Sequence, residues 1–237
     1  MRGSTPKRGA EETGSRRVYD VLRNRILNLE LQPGAEIDEA GLIAELGVSR
    51  TPIREALIRL SAEELVTLTP NRGAKVPVLD FAEVGELFDA LEVVQRVATR
   101  WAALQRTPDH VSRLREAATR YEQATHDRDL DGMREWNFQY HKIIGEASGN
   151  RYFQRTNDIL LFRSLRLAQL TLSEAPTAQF ARDAYFDKVN REHEKIASYI
   201  DAQNEDAAEN MIRDHIRQFR VRSLDVLGRN YAEHVKF

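Results

Sequence analysis

A mainly α chain in two parts is what the sequence predicts: a small helical unit closed by a β-hairpin, then an all-α antiparallel helical bundle. Three observations predict it. Apolar residues recur at three- and four-residue steps through most of the 237 residues. β-prone stretches are confined to residues 65–79, and from Phe81 onward helical segments are parted only by short breaks.

The first helix follows from Val18, Leu22, Ile26 and Leu29, and Gln32-Pro33-Gly34 ends it. A short second helix spans about Glu39 to Leu46, with Leu42, Ile43 and Leu46 inward and Gly47 as its C-cap. Val48-Ser49-Arg50 is a tight link. Thr51-Pro52 then reads as a helix start, Thr as N-cap and Pro as first helical residue, with Ile53, Leu57 and Leu60 buried. Leu65–Thr69 and Lys75–Leu79 form the hairpin around Pro70-Asn71-Arg72-Gly73. Six helices follow, over about 81–106, 109–126, 130–148, 150–172, 178–203 and 206–228. The domain expectation is a disordered arm over 1–14, a first domain over 15–79 and a helical domain over 80–230.

Composition narrows the class. There is no run of 18 apolar residues to span a membrane. Residues Met1 to Arg17 are basic but lack the apolar core of a secretory signal. With no cysteine, disulfides, thiolate metal sites and a cysteine nucleophile are excluded. A cytoplasmic protein is the expectation. Net charge is -2, so any affinity for nucleic acid must come from where the charges sit.

Helix, helix, short turn, helix and hairpin is the winged helix-turn-helix order. The start of the third helix carries Ser49, Arg50, Thr51 and Arg54, with Arg59 a turn further on. Arg50 and Arg54 leave one helical face. Two forked guanidiniums there suit guanine O6 and N7 in a major groove, while Ser49, Thr51 and the helix N–H groups suit phosphate oxygens. Gly73 would let the wing backbone approach the minor groove. The plainer alternative is a solvated arginine face with Glu55 paired to Arg59.

In the second part, His193 and His215 lie eleven residues before and after Asn204. If the flanking helices fold back on each other, the two imidazoles reach similar heights and face a shared cavity. With His141 from a third helix, and Asn137 four residues before it, they can form a divalent metal site inside a bundle. The alternative is that each is a satisfied core or boundary histidine, the reading given to His110, His126 and His234. A metal-dependent hydrolase would need a positioned general base; Glu192 and Glu194 adjoin His193, where helical neighbours point elsewhere. The expectation is therefore no enzyme.

Residues 47–60, Gly-Val-Ser-Arg-Thr-Pro-Ile-Arg-Glu-Ala-Leu-Ile-Arg-Leu, resemble the signature of the GntR family of bacterial repressors. Residues 26–34 and 72–76 resemble that family's flanks. The resemblance implies operator bases contacted by Arg50 and Arg54, with Ser49, Thr51 and Gly73 near the backbone. Glu64 stands where the family usually has Gly. Residues 80–228 resemble the FCD-type effector domain of the FadR-like branch, through Tyr140-His141, Ser148-Gly149-Asn150, Glu192-His193 and His215. That implies three histidines and an acidic residue around zinc or nickel, and here the acidic place holds Asn137. It also implies a homodimer and an anionic small-molecule effector. Leu91 and Gln95 stand where family members often carry Arg and Glu. Gln95, Arg96, Arg163 and Arg166 are then the candidates for holding the effector, against solvent-facing or interhelical salt-bridge roles for the three arginines. A metal-free effector pocket is the alternative to the metal site.

Overall fold

The N-terminal helix reaches further back than its apolar stripe, running from Arg8 to Leu27 (α1). It takes in residues 8–14 of the expected arm, where Ala10-Glu11-Glu12 are strong helix formers. The computed structural model describes residues 8–69, 73–78, 81–173 and 179–234. Residues 1–7 of the arm, the hairpin tip at 70–72, the boundary at 79–80 and most of the Ser173–Pro176 break lie outside the described residues.

The chain divides into two units, Met1–Leu79 and Asp80–Phe237. In the first, α1 is followed by β1 (Glu36–Ile37), α2 (Glu39–Leu46), α3 (Arg50–Ala62), β2 (Thr67–Thr69) and β3 (Gly73–Lys75). Val18, Leu22, Ile26, Ile53, Leu57, Leu60 and Val76 form its buried core. The sheet order is β1-β3-β2, all antiparallel, with Leu68 opposite Ala74 and Ile37 opposite Ala74 on the other side. Two residues carry no periodicity, which is why β1 has no sequence signal.

Two helix ends differ from expectation. α3 starts at Arg50 with Ser49 as N-cap, so Thr51 and Pro52 lie inside the first turn. Pro is tolerated anywhere in that turn, because those N–H groups have no partner within the helix. At the other end Glu64 has φ +58, a left-handed conformation that favours glycine, and the chain turns through Leu65 N donating to Leu60 O (2.9 Å).

The second unit is a bundle of α4 (Phe81–Gln105), α5 (Pro108–Asp127), α6 (Leu130–Ala147), α7 (Arg151–Ser173), α8 (Gln179–Asp201) and α9 (Glu205–His234). α5 opens with a reciprocal cap: His110 N donates to Thr107 Oγ1, and Thr107 N donates to His110 Nδ1. His110 is thus a capping residue. α4 packs on α9 and α6, α5 on α6 and α8, and α6 on α7. Unusually for a bundle core, Gln95, Asn157, His141 and His193 are all buried there, and those polar groups build the site.

Candidate functional site

The exposed start of α3 presents Ser49, Arg50, Thr51 and Arg54 to solvent, while Pro52, Ile53, Ala56 and Leu57 fill the core behind them. The Ser49 hydroxyl makes no capping hydrogen bond. Ile58, four residues after Arg54, extends the same face and is 61% exposed. Arg59 is placed differently. Its guanidinium lies over the Tyr19 ring, 3.7 Å from the centroid, and pairs with Glu63, whose other carboxylate oxygen accepts from the Tyr19 hydroxyl (2.7 Å). Arg59 therefore fastens α3 to α1, and the phenol's pKa is pushed up to about 12, first by burial and then by Glu63. Gly73, at φ +80, has open space around the position of a Cβ, so backbone conformation alone demands glycine there.

In the second unit, α6, α8 and α9 bring His141, His193 and His215 together. One nitrogen from each lies within 4.8 Å of the other two. The His193 and His215 rings are 5.0 Å apart and the His141 and His215 rings 5.2 Å, centroid to centroid. Tyr140 holds His193 by stacking at 4.4 Å and by donating its hydroxyl to His193 O (2.7 Å). Burial, with the neighbouring histidines, pushes the His141 and His193 pKa values well below the usual range. Both are neutral near pH 7, the form that binds metal.

Buried partners fix two of the three tautomers. The Gln95 amide donates to Asn157 Oδ1, so its carbonyl oxygen must accept from His141 Nδ1 (3.1 Å), leaving Nε2 with a lone pair. Asn157 in turn donates to His141 O (3.1 Å). Glu192 Oε2 accepts from His215 Nδ1 (2.9 Å), with the same result for His215. His193 is the exception: fully buried, with neither ring nitrogen hydrogen-bonded among the described residues. An orphaned buried polar group costs about 1–3 kcal/mol. A divalent ion would satisfy it, and the three nitrogens need draw in by less than about an ångström to reach zinc–nitrogen bonds of ~2.0–2.1 Å. The residues fit such an ion.

The cluster opens into a cavity of about 60 Å³ lined by residues of all six helices, among them Leu91, Arg134, Asn137, His141, His215 and Gln218. Asn137 is where the spacing put it, on the cavity wall one turn from His141. Of the residues expected to hold an effector, Gln95 supports His141 instead. Arg96 does not line the cavity, because it is clasped to Glu209 on α9 (2.8 Å), an interhelical ion pair. Arg163 and Arg166 are not among the lining residues either; burial lowers the Arg166 pKa to about 10. Two participants were missed, Asn157 and Arg134, and Glu192 was weighed only as a general base beside His193, not as the partner of His215. Only Arg134 had a local signal, since residues 134, 137 and 141 share one helical face.

Residues 15–76 match the family model described as bacterial regulatory proteins, gntR family, and residues 86–218 match the FCD domain. An HTH-type transcriptional regulator in an unstable DNA locus of Streptomyces ambofaciens is 36% identical over 138 residues, which span 58% of this chain and 58% of that protein. The HTH-type transcriptional repressor RspR of Escherichia coli is 22% identical over 86% of each chain. The solved structure of E. coli McbR superposes with a TM-score of 0.74 at 19% identity, over 92% of this chain and 98% of that one, a likeness of fold. Among the described residues no helix is long and apolar enough to cross a membrane.

Proposed function

Because this chain belongs to the GntR family of bacterial regulatory proteins and carries an FCD domain, we propose that it is a repressor whose homodimer releases a pseudo-palindromic operator when an organic anion enters the histidine cavity. Its being a DNA-binding transcriptional regulator with an effector domain follows from the two domains themselves. The repressor sign, the dimer, the anion and the metal are our reading. One observation carries it: the unpaired His193 imidazole, buried beside two histidines whose lone pairs are set by Gln95 and Glu192.

Arg50 and Arg54 read bases in the major groove in this proposal, Ser49 and Thr51 contact phosphates, and Gly73 brings the wing backbone close to the DNA. Two-fold protein symmetry calls for two-fold operator symmetry. His141, His193 and His215 would hold zinc, with nickel the competing ion, and Asn137 leaves the donor set without a protein carboxylate. The ion would supply a fixed positive centre for effector oxygens. The chain's own part is to seat the effector against Leu91 and to sense it through Gln95, both on α4. That helix begins six residues after β3 ends, so a shift of α4 is passed along the chain towards the wing. Differential affinity of about 1–3 kcal/mol between two α4 positions is enough for a switch. Glu192 serves His215 rather than standing as a free general base, which favours sensing over hydrolysis.

Native mass spectrometry of protein purified without chelator tests the metal-centred reading. A dimer with about one zinc or nickel per subunit is expected. A dimer that stays metal-free after both ions are added would leave a metal-free effector pocket as the alternative, in which replacing His193 and His215 with Ala still abolishes effector response but chelators do not. Selection of operator fragments from random DNA, followed by mobility shift with and without effector, tests operator binding and its release independently of the metal.

A further inference from the structure

α6 sets two different groups along one wall of the cavity. His141 stands at one end, Asn137 one turn away, and Arg134 at the other. Seven residues of helix separate the imidazole from the guanidinium, about 10 Å of rise. Arg134 is nearly buried, its side chain only 11% exposed. Nη1 donates to Gln169 Oε1 (2.7 Å) and Nη2 pairs with Asp131 (2.9 Å), whose own side chain is 66% exposed. A pair with so exposed a partner is weak, and an incoming carboxylate can replace Asp131 at small cost. On α4, Leu91 lines the same cavity and brings no charge. A second orphan points the same way: Gln218 Oε1, buried in the cavity lining, has no hydrogen-bond partner among the described residues.

Side chains on one helical face lean in the same direction, so the tips of residues 134 and 141 keep about the spacing of their backbones. A contact of ~2.8 Å at the guanidinium and ~2 Å at the histidine end leaves about 5–6 Å between the outer oxygens of a ligand spanning them. Leu91, Leu161, Leu172 and Phe219 wall the space with apolar surface. We propose that Arg134 grips the far carboxylate of a dicarboxylate effector of four or five carbons, whose near carboxylate lies at the histidine cluster. A hydroxyl on its chain would satisfy Gln218. The inference rests on the effector cavity proposed above, and it assigns Arg134 as the residue that sets ligand class.

The test is calorimetric titration of full-length protein with succinate, glutarate and butyrate, with metal binding followed separately by the visible absorption of Co²⁺. Butyrate is the control because it has one carboxylate on a chain of similar length. Wild type should bind the better dicarboxylate roughly tenfold or more above butyrate, as one charge-assisted bidentate contact requires. Arg134→Gln should bring that ratio near one, Arg134→Lys should keep part of it, and Asp131→Asn should raise dicarboxylate affinity by removing the competing carboxylate. An unchanged ratio in Arg134→Gln, or a wild-type ratio near one, overturns the assignment. If the ratio depends on Arg134 while Co²⁺ is not taken up, the metal reading fails and this one stands.

Discussion

Arg50 and Arg54 leave one turn of one helix into solvent, whereas the histidine cavity is lined from all six helices of its unit and lies among buried groups. The difference is one of coupling. In the role proposed for them, side chains at the start of α3 act locally, so removing one leaves the core under Ile53 and Leu57 untouched. In the cavity every functional group is also a packing group: His141 is held by Gln95, Gln95 by Asn157, and Asn157 returns to the His141 backbone. On the proposed roles, function at α3 separates from stability; in the cavity it does not.

The sharpest way to break that comparison is the double change Arg50→Ala and Arg54→Ala. At roughly 1–3 kcal/mol for each lost base contact, operator affinity measured by fluorescence anisotropy should fall by about a hundredfold or more. Thermal unfolding should stay within about 0.5 kcal/mol of wild type, as for surface changes. A large loss of stability would mean that α3's outer face carries structural load. Arg59→Ala is the internal control. By giving up the Tyr19 and Glu63 contacts it should cost stability, in contrast to its two neighbours.

Gly145→Ala probes the other side of the comparison. Mid-helix, alanine normally gains about 1 kcal/mol over glycine. Here an added Cβ would stand 2.6 Å from Asn157 Nδ2, closer than side chains tolerate, and Asn157 anchors Gln95. The net effect should be a loss of about 1–3 kcal/mol by overpacking. Effector response, read by release of operator DNA, should be lost with it, although residue 145 lines no part of the cavity. Wild-type stability and response in this variant would break the claim that the polar core layer sets the histidines.

The same contrast explains what could be read from the sequence. The α3 unit was legible because its signals are contiguous, and the errors there were local. Thr51-Pro52 imitates a helix start, yet Ser49 is the N-cap. The second wing strand, expected over Lys75–Leu79, is Gly73–Lys75, since Gly73 already pairs with Thr69. Arg59 looked like its neighbours because Tyr19, forty residues earlier, is invisible to a local pattern. In the second unit the breaks between helices gave the bundle, and equal spacing about Asn204 anticipated the close approach of His193 and His215. Helical spacing rightly excludes residue i±1 from sharing a face, but Glu192 serves a histidine on another helix, a pairing that spacing cannot express. Gln95 and Asn157 are likewise 62 positions apart.

His193→Leu should pull stability and function in opposite directions. In metal-free protein the change removes two buried nitrogens that have no hydrogen-bond partner among the described residues, and unfolding should become harder by about 1 kcal/mol, the orphan cost less the lost stacking on Tyr140. Metal uptake, followed by Co²⁺ absorption, should disappear. A destabilised metal-free variant would show that His193 is satisfied in a way its hydrogen bonds do not reveal.

Glu64→Gly carries the smallest effect and tests whether α3 keeps its independence at its other end. Glu64 has φ +58, which costs a residue with a Cβ about 1–2 kcal/mol, and glycine gives back part of that gain through its greater freedom in the unfolded chain. Chemical denaturation should show a stabilisation of about 0.5–1 kcal/mol. Operator affinity should be unchanged, because Glu64 follows the C-cap of α3, far along the helix from Arg50 and Arg54. If affinity instead changed along with stability, the C-terminal end of α3 would be coupled to its reading end. The reading face would then be as dependent on its supports as the cavity is.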